Sequence, residues 1–416
     1  MALLDTTALS AVLKTKYTQK NFRFLTYQNN PFYAMVPKRT DFGGKNKVVA
    51  MRYGAPQGRG ISVAVAQGGK TASAFTAFTV TRTSDYATAS ITGEAIRAAK
   101  GDANTLVEGL TKEIDATIYT SMRSLALFLA GDGGGSRGQI SSGSNVGTPT
   151  ITLAVPSDIV NFEVGMKVSA SADNGVTGSA GLRSAGAVAT ITGIDRDLGT
   201  LTISGNWSAS IAAVAAGDYL FQNSLAGASN SDYQAVIKGA FAWCPIAAPS
   251  ATAFFGVDRT ADKTRLGGVR ISGNGGPIEE TLVEAAARLV REGSTPSHCF
   301  MNPLDYSQLV RSLGAKVTYD RAKSFDEPEI GFKAVQLDGP KGPINVVADL
   351  NFKQGYSLMG QLDTWCLESL GECPGILAED DLMIFRSATS DDYEVRVGYY
   401  GNVTNEAPGW NAAITL

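Results

Sequence analysis

Imidazole chemistry has one place to occur in this chain, because His298 is its only histidine. Cys299 follows it directly, and adjacent side chains on an extended strand point to opposite faces, so the two do not form a nucleophile–base pair. Histidine-based triads and two-histidine zinc motifs are excluded by the count alone. The four cysteines, Cys244, Cys299, Cys366 and Cys373, include no Cys-x-x-Cys spacing and are too few for a disulfide framework in 416 residues. They read as small core residues in a reducing compartment. Serine–lysine chemistry stays open, with no feature that points to it.

Two glycine segments imitate phosphate loops. Gly133-Gly134-Gly135-Ser136-Arg137-Gly138 satisfies G-x-G-x-x-G, but it follows a helical pattern and opens a loop, the reverse of a dinucleotide site. Gly69-Lys70-Thr71 resembles the end of a phosphate loop, yet Ala64 stands where the first glycine is required. Glu379, Asp380 and Asp381 are consecutive carboxylates without the spaced geometry of a calcium loop, and read as a solvated turn. The expectation is a chain with no catalytic, cofactor-binding or metal-binding residues: not an enzyme.

What remains is composition and order. The chain is 44% hydrophobic, 18% charged and rich in glycine, with 46 residues, which favours turns and β structure. A formal net charge of −3 argues against a general nucleic-acid binder. The charge is uneven: residues 1–60 hold ten Lys/Arg against Asp5 and Asp41, while residues 361–416 hold ten carboxylates against Arg386 and Arg396. A basic beginning and an acidic end suit head-to-tail contact between copies, or two separately solvated surfaces. The start, MALLDTTALSAVLK, lacks the features of a signal peptide, and no run of about 18 apolar residues could span a membrane, so the expectation is a soluble protein made in the cytosol.

Residues 6–17 have the spacing of a short amphipathic helix. From Asn29 to Gly44 the chain is extended and aromatic, an arm that should pack on something other than itself. Lys47–Tyr53 and Phe75–Thr81 are strands flanking a long Gly-rich span, hence an extended hairpin of a length that compact domains rarely keep idle. Leu106, Leu110, Ile114, Ile118, Met122, Leu125 and Leu129 predict one long helix over 104–130, stopped by Gly131-Asp132-Gly133. Residues 144–224 are charge-poor, with strands at Thr148–Leu153, Met166–Ser171, Ala187–Ile194 and Thr200–Ser204, an Asp-Leu-Gly hairpin turn and no helix: a small inserted β-barrel or sandwich. From 225 helices (Glu279–Arg291, Leu304–Leu313) alternate with strands (Phe332–Leu337, Ile344–Val347, Ser357–Met359, Leu382–Arg386, Tyr393–Tyr400), which makes the whole α+β.

This order resembles the major capsid proteins of tailed phages, whose shared fold is named after phage Hong Kong 97 (HK97). The likeness rests on Asn30-Pro31-Phe32 through Phe42-Gly43-Gly44-Lys45, the hairpin, the passage Tyr86–Glu94, the helix ending at Gly131-Asp132-Gly133, Asn302-Pro303, and Tyr393-Glu394-Val395-Arg396-Val397-Gly398. It covers nearly the whole chain, and the order is more specific than any one motif. The resemblance implies an N-terminal arm (1–42), an E-loop (43–84), a peripheral domain with its spine helix (85–143), an inserted β-barrel-like domain (144–224), an axial domain (225–354) and C-terminal strands (355–416). It also implies self-assembly of hexamers and pentamers into an icosahedral shell around double-stranded DNA. A separate scaffolding protein, a portal protein and, in some members, a decoration protein would be partners, with no membrane. The location would be the virion capsid, reached through the bacterial host cytoplasm. Some members form Lys–Asn crosslinks, and Lys45, Lys47 and Lys70 lie in the corresponding loop, with no partner asparagine or acid identified.

Two other readings are an encapsulin-type nanocompartment shell, usually shorter and without an inserted β domain, and a β-rich phage or surface binding protein, which leaves the long helix unexplained. Within the capsid reading, Lys45, Lys47, Arg52, Arg59 and Lys70 face no carboxylate between residues 43 and 84. They are expected to meet acidic surface on another subunit, with Glu379, Asp380, Asp381, Asp391, Asp392 and Glu394 as receivers.

Overall fold

The computed structural model describes residues 30–93, 103–313, 335–378, 385–386 and 391–416. The helix expected at 6–17 lies outside them.

Pro31 presets the first helical turn of α1 (Pro31–Met35). This turn does not lie free. Phe32 stands edge-on to Phe300, Phe352 and Trp365, with ring centroids 4.9, 5.4 and 6.3 Å away. Its N–H donates to Asp349 Oδ2 at 2.9 Å, and the Tyr33 hydroxyl donates to the Cys373 carbonyl. β1 (Lys38–Arg39) then pairs in parallel with Leu367 and Glu368. The expectation of an arm with no partner in its own chain is corrected for residues 30–42. The aromatic pocket that receives Phe32 is assembled from residues more than 260 positions away. Replacing Tyr33 by Phe would strand a buried carbonyl, at a cost of about 1–3 kcal/mol; denaturant unfolding of the variant measures this.

β2 (Asn46–Gly54) and β3 (Ala74–Thr81) form a two-stranded antiparallel sheet with Lys47 opposite Val80 and Val49 opposite Phe78. The span between them contains a short helix, α2 (Val63–Gly68), where the sequence reading expected only flexible chain. Ser62 caps it, its hydroxyl accepting from the Val65 N–H. β4 (Thr83–Thr92) leads to α3 (Ala103–Ala130), 28 residues and about 42 Å at 1.5 Å per residue. Of the expected stripe, Ile114, Ile118, Met122, Leu125 and Leu129 are buried.

The next strands, β5 (Gly138–Gln139), β6 (Thr150–Thr152), β7 (Lys167–Ser171), β8 (Ala189–Asp195), β9 (Thr200–Ile203) and, after the single-turn α4 (Trp207–Ser210), β10 (Tyr219–Gln222), form one sheet in the order β5-β10-β7-β8-β9-β6. Its ends meet. Ile140 bridges Leu153, and Ser141 N–H and Ala154 N–H donate to the carbonyls of Thr152 and Gln139 at 2.9 and 2.8 Å, so the sheet closes into a barrel. Ile151, Phe162, Val168, Leu201, Trp207 and Leu220 fill it as a core of its own. Two details differ from the sequence reading. β5 lies before position 144, and α4 and a 3₁₀ turn at Pro156–Asn161 interrupt the strands. Both turns contribute a buried apolar residue, Trp207 or Ile159, to the barrel core.

The chain enters and leaves the barrel side by side, with Gln139 opposite Tyr219. Arg137 locks this joint. Its guanidinium reaches Asp232 at 3.1 Å and the Ser124 hydroxyl of α3 at 2.8 Å, and lies over the Phe128 ring at 5.1 Å. The run of glycines before it is required by contact. A Cβ at Gly134 would stand 2.0 Å from the Asn174 carbonyl oxygen, and Gly135, at φ +93°, would strike the Asp232 carbonyl. The dinucleotide-like glycines are thus a crossing point of backbones.

The remainder builds two sheets. After α5 (Ala240–Trp243), β11 (Val269–Ser272), α6 (Ile278–Arg291), β12 (His298–Met301), α7 (Pro303–Leu313), β13 (Val335–Gly339), β14 (Gly342–Ala348) and β15 (Tyr356–Gly360) combine with the last strand in the order β11-β20-β15-β12-β14-β13, where β20 is Asn411–Thr415. Cys299 and Met301 face the helices, and Phe300 faces the aromatic pocket around Phe32. The other sheet gathers β1, β4, β16 (Trp365–Ser369), β17 (Gly375–Ile376) and β18 (Phe385–Arg386) around the long β19 (Asp392–Asn405). α3 lies along β4 and β19 of this sheet.

Candidate functional site

The residues best suited to chemistry are ordinary core. His298 is half-buried on β12, with Nδ1 2.9 Å from the Ser297 hydroxyl and its ring stacked on Phe300. Burial lowers its pKa. Burial also pushes the thiols of Cys244, Cys299 and Cys366 up to about 12, and that of Cys373 higher still, which disfavours the thiolate. Among the described residues no group of three His, Cys, Asp or Glu could hold a metal, and no helix is long and apolar enough to cross a membrane.

The feature without an internal explanation is the β2–β3 hairpin. Its base is anchored. Phe78 packs 5.1 Å from Trp243 and 6.2 Å from Phe254, and Thr79 N–H donates to the Phe255 carbonyl at 2.9 Å. Beyond the base the two strands pair with each other alone among the described residues, with Arg265 Nη1 donating to the Tyr53 carbonyl. One face carries Val48 and Phe75, both more than half exposed, with Arg52 directly opposite Phe75. The tip is apolar as well: Ile61 is 103% exposed, Val63 73% and Val65 55%. A six-residue helix that presents its valines to water gains little stability from its own chain.

The five expected cations divide. Lys47 points inward and meets Glu368 at 3.3 Å and Asp41 at 4.0 Å, which corrects the expectation that the hairpin has no partner in its own chain. Lys45, Arg52, Arg59 and Lys70 make no ion pair among the described residues. Arg82, which the sequence reading passed over, donates to the Phe42 carbonyl and lies over its ring. Among the expected receivers, Asp391 pairs with Arg386 at 3.5 Å and Glu394 with Arg396 at 3.4 Å, while Asp392 begins β19. Glu379, Asp380 and Asp381 lie outside the described residues.

Among the acids that meet basic residues of the first 60, beside Asp41 and Glu406 (3.8 Å from Arg39), the buried one is Glu368. It is 1% exposed and holds Arg39 at 3.6 Å as well as Lys47. Part of the charge asymmetry between the two ends is therefore neutralised inside one molecule. A lone glutamate in the apolar run Trp365-Cys366-Leu367-Glu368 was the sequence signal for it, because a buried carboxylate requires a cation.

No family model matches this sequence, and no curated protein matches it. Solved structures do. A cyanophage A-1(L) capsid asymmetric unit aligns over 95% of this chain and 92% of its own, with 10% identity and a TM-score of 0.48. The capsid of a native GTA particle aligns over 94% and 90%, with 8% identity and a TM-score of 0.45. A structure of Mycobacterium phage Ogopogo aligns over 94% and 92%, with 9% identity and a TM-score of 0.41.

Proposed function

We propose that this chain is the major capsid protein of a tailed, double-stranded-DNA phage: a coat subunit of Hong Kong 97 type that builds the icosahedral head. The observation that carries this reading is the hairpin of residues 46–81, anchored by Phe78 and ending in an uncovered apolar and basic tip. Such an element gains its stability by burial on another copy. In a closed shell every subunit both gives and receives it, so weak contacts add through repetition.

In this reading the hairpin is the E-loop and α3 the spine of a peripheral domain. The sheet of β11–β15 and β20 with α6 and α7 is the axial domain at the centre of hexamers and pentamers. The barrel between residues 138 and 222 is an inserted domain with its own core, joined to the body at its paired entry and exit and by side contacts such as Arg123 with Glu163. A scaffolding protein, a portal protein, packaged DNA held without sequence specificity and a decoration protein are the partners of such a subunit. The role is structural, in the virion, after synthesis in the host cytoplasm. Negative-stain microscopy of the purified full-length protein tests it, with closed shells or capsomer rings expected. A protein that stays monomeric across concentration, salt and crowding would overturn it.

A further inference from the structure

We propose that the hairpin tip docks in the cleft between the inserted barrel and α3 of a neighbouring copy, so that the barrel forms part of the receptor. This rests on the coat-subunit reading and adds where one subunit receives the hairpin of the next. The tip is a compact surface. A Cβ at Gly58 would stand 3.4 Å from Lys70 Cα, and one at Gly60 would stand 2.6 Å from Val65 Cγ1. These close approaches gather Arg59, Ile61, Val63, Val65 and Lys70 at one end of the hairpin, with the three apolar side chains exposed.

The matching surface lies where the end of the barrel meets α3. Tyr119, Arg123, Glu163 and Arg196 form one continuous chain of contacts there. Arg123 Nη1 donates to the Tyr119 hydroxyl at 3.4 Å and reaches Glu163 Oε1 at 3.6 Å, while Glu163 Oε2 holds Arg196 at 3.0 Å. The chain fixes two barrel turns beside α3, one at 162–166 and the β8–β9 turn at 196–199. Each turn presents an apolar side chain to solvent, Val164 at 63% and Leu198 at 65% exposed, and Tyr119 of α3 is 46% exposed. Asp195 shapes the second turn, its Oδ1 accepting from the N–H groups of Asp197 and Leu198 at 3.0 and 3.1 Å. The barrel core is already filled, so neither Val164 nor Leu198 serves it.

Charge selects the occupant. Both arginines of the cleft are committed to Glu163, so the exposed Asp195 and Asp197, without an ion pair among the described residues, set its sign. The hairpin has the opposite sign and the same apolar character, with no carboxylate from residue 43 to 84. Docking removes the apolar residues of both sides from water together and brings Arg59 and Lys70 to Asp195 and Asp197. A second barrel in the same place would set like charge against like.

Zero-length carbodiimide coupling on shells of the full chain tests this, with unlabelled and isotope-labelled protein mixed before assembly. Mass spectrometry should find amides between Lys70 of one copy and Asp195 or Asp197 of another, in isotope-mixed peptide pairs. Shells in which Lys70 couples only to other acids, or to none, would overturn the proposal and leave the coat-subunit reading standing. A wild-type protein that forms no shells would instead overturn that reading. The double variant Val164→Asp, Leu198→Asp gives a second readout. Both side chains are exposed, so its melting temperature should match the wild type, while the concentration needed for shells rises about tenfold or more. Assembly of the folded variant at the wild-type concentration would also overturn the proposal. The crosslink, read on the unaltered chain, decides if the variant fails to fold.

Discussion

Arg137→Ala should cost about 1.5–3 kcal/mol and separate the unfolding of the barrel from that of the body, because it leaves the partly buried Asp232 carboxylate without its partner. Arg137 is 5% exposed, and four elements converge on it. Its guanidinium joins Asp232, Ser124 and Phe128, its N–H donates to the Leu220 carbonyl, and its carbonyl accepts from Asn161 Nδ2 at 3.0 Å. Burial pushes the Asp232 carboxyl up even against the pull of the guanidinium, so this pair is held by its geometry and its extra hydrogen bonds. Two calorimetric transitions in place of one, the later retained by an isolated 136–224 fragment, are the expected result. A single transition shifted by less than about 1 kcal/mol would show that the barrel is held by other contacts, such as Arg123 with Glu163 at 3.6 Å.

The sequence made some of this architecture legible. β2 and β3 alternate between an exposed and an inward face, and α3 repeats its apolar residues along one side, so periodicity found both. β12, β16 and β20 escaped it because they are covered on nearly every residue: Trp365–Ser369 is buried at all five positions. A strand enclosed on both faces has no period of two to detect. The closing of the barrel was equally hidden, since β5 has two residues and takes its place from its pairing with Tyr219 and Leu220.

Charge counting missed one buried carboxylate for a different reason. Summing the two ends treats each carboxylate as a surface group, yet Glu368 lies in the core and pairs with Arg39 and Lys47 within the same chain. Of the five hairpin cations, Lys47 is therefore engaged within its own chain. What the sequence could not show, the apolar tip supplies. Ile61, Val63 and Val65 were passed over as part of a polar, Gly-rich span, because three apolar residues among glycines carry no period long enough to read.

Disabling the tip should therefore stop assembly. Changing Ile61, Val63 and Val65 together to Asp removes apolar surface from a contact that each subunit makes once and receives once. Burying a side chain of this kind contributes about 1.5–3 kcal/mol, so three of them outweigh an exposed ion pair at about 0–1 kcal/mol. Shells should be absent at concentrations where the wild type forms them, while the monomer keeps its melting temperature, since these residues touch little of their own chain. Reversing Arg59 and Lys70 to Glu should have the milder effect, raising the concentration needed for shells most visibly at low salt, where the lost attraction is least screened. The ranking of the two variants is the decisive measurement. Sedimentation or light scattering across a salt series should find the apolar variant dead at every ionic strength and the charge variant approaching wild type as salt rises. If the apolar variant assembles normally, the tip faces solvent in the shell and the hairpin is not the contact.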